Sequence, residues 1–370
     1  MIGTPPTIAN VPLADAEVAE AANVRRERDA QLGPVIKTSS DFVKGFMPPE
    51  FIWDGILQQG FLYSLTAPTG AGKTAIALSI AAKFALRQPI CGRDTTGGRA
   101  VYLAGENSDD VRMRWLAMAE HLSFDVDGID VRFIDKTFDL SNRYDYVASQ
   151  IESFGGAALI VIDTSPAFFQ GAEENSNVEL IRHAKAQRRF TRCAGRPTVL
   201  SLCHPSKNAG DENLVPRGGG GFLAEVDGNL VARTTNQTVE LHWQGKLRGP
   251  GFEPAFFELK SSTASCLQDS RGRSIWTVVA HDLSRLEAEH RLDSNASLED
   301  RLLEALGRLD NPSISTLAEC LGLVGITGEP QKSKVHGMLK KLAKDGLVST
   351  GRRGQYGLTD RGRKEMKKIE

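Results

Sequence analysis

Phe61-Leu-Tyr-Ser-Leu-Thr-Ala67-Pro68-Thr69-Gly70-Ala71-Gly72-Lys73-Thr74-Ala-Ile-Ala-Leu78 is the stretch that decides the fold. An apolar, strand-like run ends in a glycine-containing loop, and Lys73-Thr74 then opens an Ala/Ile/Leu-rich helix. This is the layout of a phosphate-binding loop. Backbone N–H groups of Gly70, Ala71 and Gly72 can curl around a phosphate while the helix N-terminus points at it. Lys73 would reach the β- and γ-phosphates of a nucleoside triphosphate, and the Thr74 hydroxyl would sit on Mg²⁺. Ala67 takes the place of the first glycine of the strict pattern, where a small residue is the main requirement. The bland alternative, a glycine-rich turn without a ligand, leaves the strand before and the helix after unexplained.

Composition sets the frame. A chain of 370 residues suggests about two domains with ample apolar content for a core. The formal net charge of -1 advertises no polyanion partner for the protein as a whole, so charge has to be read by region. Cysteines at 91, 193, 203, 266 and 320 form no Cys-x-x-Cys pair, which argues against a zinc site or disulfide framework and fits a reducing cytosol. No apolar stretch approaches the roughly 20 residues that cross a bilayer. The start, Met1-Ile-Gly-Thr-Pro-Pro, lacks the basic and apolar regions of a signal peptide. The expectation is a soluble cytoplasmic protein with no membrane partner.

Strand-like and helical runs alternate from about Asp41 onward: Leu62–Leu65, a helix from Lys73, Ala100–Leu103, a helix from Asp109, Val131–Ile134, a helix near Tyr144–Phe154, Ala158–Ile162, a helix near Val178–Cys193, and Thr198–Cys203. Such alternation predicts an α/β fold with a mostly parallel sheet covered by helices. After Cys203, short strand candidates at Leu230–Arg233, Val239–Trp243 and Ala255–Leu259 are separated by polar turns and predict antiparallel pairing at the end of the sheet. The Ser-, Asp- and Arg-rich segment 261–296, broken by one apolar run at Ile275–Ala280, reads as a linker with room for one ordered strand. Residues 1–12 are Pro-rich, and Ala14–Gln31 reads as a helix with few apolar residues, so segment 1–40 is expected to be partly helical or flexible.

A phosphate loop needs a carboxylate for magnesium at the end of an apolar strand, and Ala158-Leu-Ile-Val-Ile-Asp163 supplies it, as a Walker B strand does. Ala100-Val-Tyr-Leu-Ala-Gly-Glu106 brings a second carboxylate to the same edge, because parallel strand C-termini converge there. Glu106 is thus placed to activate water. Asn107-Ser-Asp-Asp also resembles a helix start, so Glu106 has an alternative role as a helix-terminal charge. A third strand, Thr198–Cys203, delivers His204-Pro-Ser-Lys207, where His204 could sense the γ-phosphate or serve as a hydrogen-bonded structural residue. The following Asn208–Gly221 stretch, with Arg217-Gly-Gly-Gly-Gly221, is too glycine-rich and polar for core and reads as a functional loop.

This order of motifs resembles the RecA-like ATPases, and among them the RepA-type hexameric replicative helicases of plasmids and mobile elements. Phe46-Met-Pro-Pro-Glu-Phe-Ile-Trp-Asp-Gly55 is similar to the segment that leads into the phosphate loop in that group, and Glu174-Asn175 is familiar from it. The resemblance covers about residues 41–260. It implies a ring, with ATP between neighbouring subunits and a cation supplied in trans to stabilise the transferred phosphoryl group. Lys246-Leu-Arg248-Gly-Pro-Gly251 resembles the Lys-x-Arg finger of ring helicases, with a solvated β-turn as the competing reading. Arg217 is the other finger candidate, or else a DNA-loop residue. In such rings the loops here spanning about Gln170–Asn177 and Asn208–Phe222 face the channel. The first carries Glu173 and Glu174, poor for phosphate contact, whereas the second offers Lys207 and Arg217.

The C-terminal residues 297–370 read as a separate module. Ser297-Leu-Glu-Asp opens a helix with Leu298, Leu302, Leu303, Leu306 and Leu309 on one face. A short helix from Ser315 and a longer one over about Gln331–Asp345 follow, then two strands around Gly351-Arg352-Arg353-Gly354 and a basic tail helix. Helix, helix, helix, hairpin resembles a winged helix-turn-helix. From Lys332 onward twelve Lys and Arg stand against four acids, which suits a DNA-facing module. Lys332, Lys334, Lys340 and Lys341 would lie on or flank the recognition helix, and Arg352 and Arg353 would tip the wing. Protein–protein contact is the alternative use of such a module.

Together these features predict a RecA-like P-loop ATPase that forms a ring, a hexamer by resemblance, and moves along single-stranded DNA, with duplex contact through the winged helix. ATP and Mg²⁺ would be held by Ala67 through Thr74 and by Asp163. The other readings are an ATP-switched DNA-binding regulator and a recombination or repair ATPase that does not unwind DNA.

Overall fold

The computed structural model describes residues 36–171, 176–206, 209–217, 220–235, 237–309, 312–324, 329–350 and 355–369. The chain falls into two units, Met1–Pro48 and Pro49–Glu370. In the first, the described helix is α1 (Ser39–Val43), capped by Thr38, whose hydroxyl oxygen accepts the Asp41 N–H at 3.1 Å. It buries no side chain.

The second unit opens with a small antiparallel pair, β1 (Phe51–Trp53) and β2 (Leu57–Gln58). Then come β3 (Leu62–Thr66), α2 (Lys73–Ala85), β4 (Ala100–Ala104), α3 (Ser108–Leu122), β5 (Val131–Ile134), α4 (Tyr144–Ser153), β6 (Leu159–Asp163), α5 (Asn177–Arg189) and β7 (Thr198–Cys203). After α6 (Gly220–Glu225) the chain runs through β8 (Gly228–Thr235), β9 (Thr238–Leu247), β10 (Ala255–Ser262) and β11 (Thr277–Leu283). The C-terminal part holds α7 (Arg285–Arg308), α8 (Ile314–Cys320), α9 (Lys332–Lys344), β12 (Val348–Thr350), β13 (Tyr356–Leu358) and α10 (Asp360–Ile369).

One nine-stranded sheet organises the unit, in the order β11-β10-β9-β8-β3-β7-β6-β4-β5. From β8 to β5 all neighbours are parallel, and β9, β10 and β11 add antiparallel pairs. This is a mixed α/β fold with a large, mostly parallel central sheet, consistent with a RecA-like P-loop ATPase core.

The central strands are buried on both faces, so they read as continuous apolar runs rather than as alternation. Their side chains nevertheless sort by the two-residue period of a strand. Tyr102, Leu159, Val161 and Leu200 face a core completed by Ile76, Ile80 and Trp115 from α2 and α3. Val101, Leu103, Ile160, Ile162 and Val199 face the opposite core with Ile151, Leu180, Ala184 and Phe190 from α4, α5 and the turn after it. Each fully buried Leu, Ile or Phe contributes on the order of 1.5–3 kcal/mol. That burial fixes the register of every strand that ends at the site.

Segment 261–296 is not the linker expected from its composition. Thr277–Leu283 pairs along β10 as the sheet's last strand, and α7 begins at Arg285, well before Ser297. The helix start is a capping box: Ser284 Oγ accepts the Glu287 N–H at 3.3 Å, and Glu287 Oε2 accepts the Ser284 N–H at 2.8 Å. Polar composition hid it because the capping residues themselves are Ser and Glu. Leu309, expected on the inward face, lies one residue past the helix and is partly exposed.

The later half of α7 joins α8, α9, β12 and β13 around a third core of Leu302, Leu306, Leu317, Val335, Leu339 and Leu358. The helices and the antiparallel β12–β13 pair follow the expected order. Residues 1–35, Lys207, Arg352 and Arg353, and Glu173 through Asn175 lie outside the described residues.

Candidate nucleotide site

The loop after β3 turns directly into α2, and glycine is required at the turn. Gly70 and Gly72 take φ of 82° and 84°, in the left-handed region that favours glycine. A Cβ on Gly72 would also stand 2.6 Å from Leu259 Cδ2, so the Leu259 side chain, which packs from β10 onto the loop, would have to shift. No side chain caps α2. Its first-turn N–H groups are thus left for an anion.

Lys73 is buried, and its ammonium donates to Ala67 O at 2.7 Å and Pro68 O at 3.0 Å. The lysine therefore braces the loop across its own mouth. Burial lowers its pKa, and the nearby Asp163 carboxylate opposes that shift.

Asp163, the last residue of β6, is also buried, and both its oxygens are engaged. Thr74 Oγ1 donates to Oδ1 at 3.2 Å, and Tyr102 Oη donates to Oδ2 at 2.6 Å. Burial pushes the Asp163 pKa up to about 6; the two hydrogen bonds and Lys73 pull it down, and Glu106 pushes it up. Tyr102 is held well above the usual phenol range by burial and by Asp163, so it remains a donor.

Glu106 follows β4 on the same edge, since β4 and β6 pair in parallel with Ala104 opposite Asp163. Thr164 Oγ1 donates to Glu106 Oε1 at 2.6 Å, and His204 Nε2 stands 3.6 Å from the same oxygen. Burial lowers the His204 pKa, the Lys73 and Arg217 charges push the same way, and Glu106 opposes them. Imidazole and carboxylate are thus poised as a polar pair over the loop. After His204 the chain folds back on itself: Arg217 N donates to His204 O at 2.9 Å, and Pro205 bridges Pro216. Arg217 accordingly lies beside His204 of its own chain.

A cleft of about 520 Å³ joins these groups, lined by Thr69, Gly70, Gly72, Lys73, Thr74, Glu106, Arg114, Thr164 and His204 on one side and by Thr234, Gln237, Leu259, Ser261 and Val278 on the other. The second set comes from β8, β10, β11 and the β8–β9 turn, so the antiparallel part of the sheet forms the far wall. The cleft has the size of a nucleotide site. The Thr74 hydroxyl and Asp163 carboxylate offer adjacent hard oxygens suited to Mg²⁺. Among the described residues no group of three or more His, Cys, Asp or Glu gathers to hold a metal alone. Magnesium held here would therefore draw its remaining ligands from phosphate and water.

Lys246 and Arg248 are not brought to this cleft. Lys246 is the next-to-last residue of β9, and its ammonium bonds Ala224 O. Arg248 pairs with Asp227 at 3.2 Å, where Gly228 starts β8 beside Tyr63 near the start of β3. Both cations thus stand at the opposite edge of the sheet from the loop that follows Thr66. A five-residue strand separates the edges by roughly 15 Å.

In the C-terminal part, Lys340 is exposed and Lys334 partly so on α9, while Lys341 is paired with Glu299 at 2.8 Å. Sequence reasoning missed Tyr102 and Thr164. Tyr102 sits mid-strand, where it reads as core, and only the register that sets it beside Val161 brings its hydroxyl to Asp163.

Residues 28–210 match the family model of the AAA domain. The match takes in the phosphate loop, Glu106, Asp163 and His204, and it supports an ATPase core that binds nucleotide, usually with Mg²⁺. No curated protein matches the chain. Among the described residues no helix is long and apolar enough to cross a membrane.

Proposed function

We propose that the chain is an ATP-driven motor of the RepA type, working as a ring, six-membered by resemblance, on single-stranded DNA in the replication of a plasmid or other mobile element. The observation that carries this reading is the split of charged groups between the two edges of one sheet. Lys73, Thr74, Asp163, Glu106 and His204 converge at one edge, while Lys246 and Arg248 stand at the other. A head-to-tail ring brings unlike edges of neighbours together. The Lys-x-Arg pair of one subunit would then complete the next subunit's site.

In that site the loop amides and Lys73 bind and orient the phosphates, and Thr74 and Asp163 hold the cation. Magnesium, when bound, neutralises phosphate charge. Glu106, held by Thr164, accepts the proton of the attacking water. His204 sits between Glu106 and the loop ending at Arg217, so a change at the γ-phosphate position would be passed to that loop. Lys207 and Arg217 would meet DNA phosphates there, and Lys334, Lys340, Arg352 and Arg353 would contact duplex through a winged-helix module.

Strand displacement tests this reading. The full chain with ATP and Mg²⁺ should separate a tailed duplex, and Lys73→Ala should not. An ATP-switched regulator is the second reading, favoured by a C-terminal module with its own core and an excess of basic residues. It predicts ATP-dependent duplex binding with no strand separation.

A further inference from the structure

Asp227 is buried at the foot of β8, yet it gathers two guanidinium groups. Arg188 of α5 grips it with both terminal nitrogens, at 2.9 Å to Oδ2 and 3.2 Å to Oδ1. Arg248 reaches Oδ1 at 3.2 Å from the other side, and the Leu62 N–H donates to Oδ2 at 2.9 Å. The backbone is tied in as well, because Arg248 N donates to Asp227 O at 2.7 Å.

The partners differ in exposure. The Arg188 side chain is 28% exposed and its remaining bonds go to the Glu225 carbonyl, whereas the Arg248 side chain is 61% exposed. Arg188 is locked into the fold, and Arg248 is tethered by its backbone N–H and by one terminal guanidinium nitrogen, with the rest of the guanidinium open. A buried carboxylate shared by two guanidiniums leaves the cluster with excess positive charge, and Lys246 adjoins it. An anion arriving from outside would meet a guanidinium whose direction is already set.

We propose that Asp227 is a positioning residue that aims Arg248 at the nucleotide of the neighbouring subunit. This rests on the reading of Arg248 as a trans finger. The gain is pre-organisation: a long side chain loses less freedom on meeting its target when it is already ion-paired in one direction. Arg188 holds the carboxylate in turn, so α5, which begins after the loop following β6, is linked to the finger through one charge.

The test uses full-length rings carrying Asp227→Asn, which keeps an oxygen for the Leu62 N–H and removes the charge that holds Arg248. Nucleotide affinity should stay within about threefold of wild type, while turnover falls about 10–100-fold, as expected for a misplaced catalytic group. Mixing provides the readout that a merely structural role would not move. Lys73→Ala subunits have a dead loop but an intact Asp227 and Arg248. Mixed with Asp227→Asn subunits, they should raise turnover above the sum of the separate populations. If Asp227→Asn does not assemble, Asp227→Glu, which keeps both guanidiniums paired but shifts the carboxylate by a methylene, is mixed in the same way. Wild-type turnover in Asp227→Asn, or no gain on mixing, overturns the proposal. Arg248→Ala mixed with Lys73→Ala separates the two ideas. If that pair fails to complement, the trans finger itself falls. If it complements while the Asp227 variants do not, only the positioning role falls.

Discussion

Tyr102 and Asp163 are joined by a 2.6 Å hydrogen bond across adjacent strands, with the phenol donating to the carboxylate oxygen that Thr74 does not use. The bond is one of the forces that keep a buried carboxylate ionised. Tyr102→Phe removes it and leaves Oδ2 unsatisfied, a loss on the order of 1–3 kcal/mol. The Asp163 pKa, already about 6, should rise further. Metal binding needs the ionised form, so the acidic limb of the ATP turnover profile should move to higher pH and the Mg²⁺ requirement should increase. A pH–rate series at several Mg²⁺ concentrations checks both.

Gly72→Ala should weaken nucleotide binding for two separable reasons. The new methyl meets Leu259 Cδ2 at 2.6 Å, and φ stays at 84°. Adding Leu259→Ala clears the contact but not the backbone strain of about 1 kcal/mol or more. The double variant should recover part of the affinity, and equilibrium titration with a fluorescent nucleotide measures how much.

Thr164 holds Glu106 by its hydroxyl at 2.6 Å. Thr164→Val keeps the shape and removes the donor. Turnover should fall by about 10–100-fold, consistent with a lost hydrogen bond to a charged group of about 1.5–3 kcal/mol. Glu106→Gln should cost far more, with nucleotide affinity retained in both. Equal losses in the two variants would contradict the assignment of Glu106 as the base.

His183 gives a stability prediction. It is buried against Ser165 and Gln187, with Nε2 3.0 Å from Ser165 Oγ, and burial pushes its pKa down to about 4. The unfolded chain takes up this proton near pH 6.5, whereas the native state resists until about 4. Between these values the unfolded state binds more protons, so stability falls as pH falls. The contribution lost should be roughly 2–4 kcal/mol. Denaturant midpoints over this range should drop for wild type and flatten for His183→Gln.

The strand-helix order was legible because the buried strands are long apolar runs, and the phosphate loop because its glycines and lysine sit between two recognisable elements. Asp163, Glu106 and His204 followed because parallel strands deliver their C-termini to one edge. What escaped depends on register across the sheet. Tyr102 and Asp227 look like ordinary core and turn residues until the pairing of β4 with β6, and of β3 with β8, brings their partners close. The helix start within 261–296 escaped because composition there is polar, although the Ser284–Glu287 capping box was present to be read.

The central claim, a motor that couples ATP to single-stranded DNA, is tested most directly by steady-state ATP turnover as single-stranded DNA is titrated into the full chain with Mg²⁺. Turnover should rise saturably with DNA and be absent in Lys73→Ala. Turnover that is unchanged by single-stranded DNA at every concentration would contradict the account.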